Sequence, residues 1–155
     1  MIASICGPTC GFPLFLHVVG AIVLFGGTAA VTLLAGVSLR RDHGQAAMLR
    51  RLAFVSTLLV VWPGWLAMRI AGQWVLGKYP GLEDSDPGWL GIGFIVGDLG
   101  LLVLVATTIL AWFAYRRTRP ERPRPVTAPI LAGLAGLYLL ALAVAVFAMS
   151  AKPGS

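Results

Sequence analysis

Long apolar runs alternate with short polar stretches along this chain. The runs cover about residues 12–39, 52–76, 89–113 and 130–149. Nothing from Leu14 to Leu39 is charged at neutral pH. As a helix, the 28 residues of the first run reach about 42 Å, more than the roughly 30 Å of a bilayer's hydrocarbon core. The pattern predicts an all-α fold, an integral membrane four-helix antiparallel (up-down) bundle forming a single transmembrane domain over residues 1–155.

The faces of these runs carry further expectations. At about 100° per residue, His17, Gly20, Leu24, Gly27 and Val31 share a stripe, so the histidine faces protein where two glycines admit a neighbouring helix. In the second run Pro63 removes the donor for the carbonyl of Leu59 and predicts a kink. Trp62, Trp65, Arg69 and Gln73 form one stripe of that helix, which suits a bundle interior or a ligand pocket. The third run holds Asp98 and the close-packing pattern Gly93-x-x-x-Gly97, and the fourth has no charge.

The connectors orient the chain. Arg40, Arg41, Arg50 and Arg51 lie in the first, and Arg116, Arg117, Arg119, Arg122 and Arg124 in the Pro-rich third, whereas the acidic second connector has only Lys78. The positive-inside rule puts the arginine connectors in the cytoplasm and both termini outside, in the cell's inner (plasma) membrane. Trp74 and Trp89 then mark the outer interface. Composition agrees with a membrane class: 58% of residues are hydrophobic and 12% charged, about half the charged share of a soluble domain. The net charge of +6 comes from these topology signals, so nucleic acid is not an expected partner. No basic segment precedes the first run, and no cleaved signal peptide is expected.

Three ionisable residues lie inside runs: His17, Arg69 and Asp98. Counted inward from Phe12, Trp74 and Trp89, their depths are about 7.5, 7.5 and 13.5 Å, all in the outer half. Intramembrane charges cost a few kcal/mol each, which favours an Arg69–Asp98 pair over an arginine snorkelling to the outer headgroups. With Trp65 and Gln73 on the arginine's face, these residues form the expected ligand or structural polar cluster. His17 can ligate haem iron or another metal, with Met68 as second haem ligand at similar depth. His43 stands about 39 Å away along a helix and cannot join it. Cys6 and Cys10 suit either a disulfide or a Cu(I) thiolate site. Glu83, Asp84 and Asp86 read as a solvated loop. No nucleophile–base arrangement, phosphate loop or nucleotide motif appears, so no catalytic residue and no enzyme is expected.

The stretch Phe15-Leu16-His17-Val18-Val19-Gly20-Ala21 ending in Gly26-Gly27, with Pro63-Gly64 in the second run and Gly88-Trp89-Leu90 opening the third, resembles a family of small bacterial membrane proteins of unknown function. That family is similar to the group containing the copper-resistance protein D membrane domain and the haem-binding membrane protoporphyrinogen oxidases. The resemblance implies an iron ligand at His17 and haem b or copper as cofactor. Leu24-Phe25 stands where a tryptophan is common, and the oxidase's basic residues after the paired glycines are absent here. Together the readings lead to a membrane binding or transport module with a polar site in the outer half, or a structural or accessory subunit without a ligand, with haem-linked oxidoreductase third. The bilayer is the expected partner, with a homodimer or a membrane complex beside it.

Overall fold

The computed structural model describes residues 11–78, 88–116 and 126–151. Helix α1 spans Gly11–Ser38 and α2 spans His43–Ser56; a π-helical segment, Thr57–Val61, leads into α3, Trp62–Leu76. Helices α4, Gly88–Arg116, and α5, Thr127–Ala151, follow. Because α2, the π segment and α3 run on as one span of 34 residues, the fold is an all-α bundle of four long helices, each apolar enough to cross a membrane. Its outward side chains are apolar: Phe15, Ile22, Leu59, Leu102, Leu137 and Phe147 are all well exposed. A water-soluble bundle would bury these residues, so the chain is a multi-pass membrane protein.

The second span begins at His43, nine residues before the expected Leu52. The stretch assigned to a polar connector is an amphipathic helix: Ala46, Arg50 and Ala53 recur at helical spacing on its buried side. The alanines and leucines between the charges are strong helix formers. The irregularity that Pro63 demands takes the form of a wide turn. Trp62 donates its N–H to the carbonyl of Thr57, five residues back, and Pro63 enters in the first turn of α3, where its missing N–H is cheap.

Helix α1 lies at the centre of the packing, along the length of α3 and against α2 and α5, while α4 packs on α5 and α2. The α1–α3 contact is backbone on backbone. A Cβ added to Gly64 would sit 2.7 Å from the Leu24 nitrogen, and one on Gly20 would sit 2.9 Å from the Met68 Cα. The stripe expected on α1 is thus the seam with α3, with Leu24 and Val31 buried along it. The glycines of Gly93-x-x-x-Gly97 do no such work. Gly93 seats the Met149 methyl, and nothing lies within 4 Å of the Cβ position of Gly97.

We call the end where α1 begins and α3 stops the amino-terminal end, and the other the arginine end. Phe12 and Trp74 meet edge to face at the first, with ring centroids 6.5 Å apart. At the second, Phe54 stacks on Tyr115 at 5.8 Å and Arg116 lies 4.2 Å over Trp112. A basic residue in the last turn of α4 also complements the helix dipole, and this carries the helix past the expected end at Phe113.

Candidate functional site

The stripe on α3 points at α4. Half-buried Trp62 donates its indole N–H to Thr108 Oγ1 at 3.0 Å, and buried Trp65 donates to the Gly97 carbonyl at 3.1 Å. One turn further on, the Arg69 guanidinium pairs with Asp98 Oδ1 and lies 5.3 Å over the Phe94 ring. Side chains, not backbone contacts, make this join.

The local geometry explains how residues of different depth meet. Side chains lean toward the N-terminus of their own helix, and α3 and α4 run in opposite directions. Arg69 therefore leans toward the middle of the bundle and Asp98 leans back toward the amino-terminal end, which closes the offset of about 6 Å between them. The arginine turns to its carboxylate and away from the nearer headgroup region.

The pair lies on the flank of the bundle, not within it. Asp98 is 59% exposed and Arg69 27%. Among the described residues their only hydrogen bond runs from Nη2 to Oδ1, so the second carboxylate oxygen and the remaining guanidinium N–H groups keep open valences. Gln73, the fourth member of the stripe, is exposed at its end and lies outside this join.

His17 belongs to the other seam. Its Nδ1 lies 2.8 Å from the Met68 carbonyl. A carbonyl only accepts, so Nδ1 is the donor in this contact. Gly72 makes the space, since a Cβ there would sit 3.0 Å from Nδ1. Met68 and Arg69 are about 100° apart around α3, and among the described residues no hydrogen bond links His17 to Arg69 or Asp98.

In this geometry His17 meets the backbone of Met68, its expected partner in haem ligation, and not the thioether. Met68 gives His17 its backbone oxygen and packs its side chain against the core. The two helix backbones touch at Gly20 and Met68. For a metal ion, no three His, Cys, Asp or Glu side chains converge among the described residues. Cys6, Cys10, Glu83, Asp84, Asp86 and the side chain of Trp89 lie outside the described residues.

On the α4 side of the join Asp98 was legible in the sequence, but Thr108 and the Gly97 carbonyl were not. Thr108 carries no signal of its own; its hydroxyl donates to the Leu104 carbonyl at 2.7 Å, which leaves its lone pairs for Trp62. Gly97 acts through its carbonyl, and a backbone acceptor cannot be read from residue type. Tyr138 was also missed. Its buried hydroxyl rests against Gly100 with no hydrogen-bond partner among the described residues.

No protein-family profile, curated protein or solved structure matches this chain.

Proposed function

We propose that this chain is a membrane binding module whose site is the Arg69–Asp98 join in the outer half of the cell's inner membrane, with both termini outside. The observation that carries the reading is the exposure of Asp98, 59%, inside a long apolar helix. A carboxylate needed only to fix helix register would be enclosed with its counter-ion, because charge facing lipid is costly. Here the pair faces outward with unused hydrogen-bonding capacity, and Phe94 holds the guanidinium in place.

Binding fits better than transport through the single chain. The hollow bounded by Thr28, Thr57 and Tyr138 has about 10 Å³ of room, close to what one water needs. A larger hollow of about 170 Å³ between α4 and α5 is lined by apolar residues such as Val96 and Leu134 and offers a polar solute no partner. The orientation rests on the arginines of the two cytoplasmic connectors, and a reporter fused after Ser155 should appear outside the cytoplasm.

Thermal unfolding of the purified protein with a panel of amphiphiles tests the binding role. A ligand that stabilises the wild type and leaves Asp98→Asn unmoved supports it. In the second reading, a structural or accessory subunit, the tight α1–α3 seam is the main feature and the ion pair adds stability alone. Equal responses of both proteins to every amphiphile would favour that reading. Haem or copper at His17 enters through the sequence resemblance, and a Soret band or bound copper that disappears in His17→Ala would bring it back.

A further inference from the structure

The charge balance around the Arg69–Asp98 pair points to the kind of group it receives, given the binding role proposed above. Among the described residues, one carboxylate oxygen and several guanidinium N–H groups have no partner, on an exposed flank of the bundle. An anion held by Arg69 alone would leave Asp98 uncompensated in a medium of low dielectric, and a cation on Asp98 alone would do the same to the arginine. A group carrying both charges a few ångströms apart meets both open edges and leaves the net charge of the site unchanged.

Depth narrows the source. The 29 residues of α4 reach about 43 Å, some 13 Å more than the hydrocarbon core, so its ends stand clear of the core. Asp98, about a third of the way along, then lies within about 10 Å of the hydrocarbon boundary, and the offset to Arg69 brings the pair nearer still. We infer that the pair is a receptor for a zwitterion, with an anionic group on Arg69 and a primary ammonium on Asp98. The membrane's own group of this chemistry is a phosphoethanolamine headgroup. Its ammonium donates hydrogen bonds to Oδ2, which the quaternary ammonium of choline cannot, and its phosphate oxygens suit the planar guanidinium fork. A glycerol headgroup offers phosphate without the cation.

The test uses the full chain in detergent, washed free of lipid and then given equal amounts of phosphatidylethanolamine, phosphatidylcholine and phosphatidylglycerol, with retained lipid counted by mass spectrometry. The ethanolamine lipid should be retained about tenfold over the other two, the effect of one charge-assisted hydrogen bond. Asp98→Asn and Arg69→Gln should each bring it down to the choline level. Should either fail to fold, Arg69→Lys keeps the charge, loses the fork and should fall between. Free phosphoethanolamine distinguishes the sources: displacement of the lipid shows that the zwitterion suffices, and retention despite it shows that the acyl chains contribute, both in agreement with the inference. Equal retention of ethanolamine and choline lipids overturns it. Retention of phosphatidylglycerol, lost in Arg69→Gln and kept in Asp98→Asn, also overturns it but keeps a binding site at Arg69. Lipid retention that no charge change alters removes both the inference and the binding role.

Discussion

Helix α3 is joined to the bundle in two different ways. On its α1 side, Gly20 and Gly64 bring two backbones into contact, and a bond from His17 to the Met68 carbonyl ties off the amino-terminal end. On its α4 side, the join is made by Trp62, Trp65 and Arg69 reaching across to Thr108, Gly97 and Asp98. In the first seam a Cβ on Gly20, Gly64 or Gly72 would meet the facing helix at 3.0 Å or less. The second ends in a pair of charges on the flank, with no further hydrogen-bond partner among the described residues. In a bilayer, where apolar contact with lipid is as favourable as apolar contact with protein, helices are held by close backbone packing and by polar side chains that find partners across the interface.

The comparison breaks most sharply at glycine. Gly64→Val would place its Cβ 2.7 Å from the Leu24 nitrogen, and backbone cannot yield as a side chain can. The expected cost is about 3 kcal/mol, read as a large fall in unfolding temperature in detergent or as loss of the monodisperse species. Loss of stability below about 0.5 kcal/mol would mean that the helices are further apart than described.

Arg69→Ala comes next. It removes the partner of Asp98, but that carboxylate is more than half exposed, so the cost is expected near 1–2 kcal/mol, below the 3–5 of an enclosed pair. A loss as large as that of Gly64→Val would show that the site is interior and closed.

The smallest change is His17→Phe, which keeps bulk on the α1 stripe and removes the bond to the Met68 carbonyl. Hydrogen bonds between membrane helices average about 0.6 kcal/mol, and a loss of that order is expected by the same measurement. It should leave the response of the protein to amphiphiles unaltered, because His17 faces the other seam.

Much of this was legible in the sequence for one reason: lipid demands long uncharged runs, so the spans stand out, and every charge inside them becomes conspicuous. His17, Arg69 and Asp98 were found that way, and helical spacing alone placed Gly20 opposite a close neighbour. The start of α2 was obscured because Arg50 reads as connector, whereas it is buried on the helical face with Ala46 and Ala53. The π segment was hidden because Pro63 announces a break and not its form. The stripe predicted the direction of Trp62, Trp65 and Arg69, but Gln73 lies a turn too near the helix end to be covered. The other two acceptors on α4, beside Asp98, escaped, since one is a backbone carbonyl and the other a threonine indistinguishable from its neighbour Thr107.

Arg69 and Asp98 meet across the α3–α4 join, and their mutual dependence is the central prediction. A thermal-stability double-mutant cycle with Arg69→Ala, Asp98→Asn and the double variant measures that directly. The expected result is a coupling of about 1 kcal/mol, with Asp98→Asn recovering part of the loss in Arg69→Ala because no carboxylate is then left without its cation. Additivity of the two single effects to within about 0.3 kcal/mol would contradict contact between the residues, and with it the site proposed for this chain.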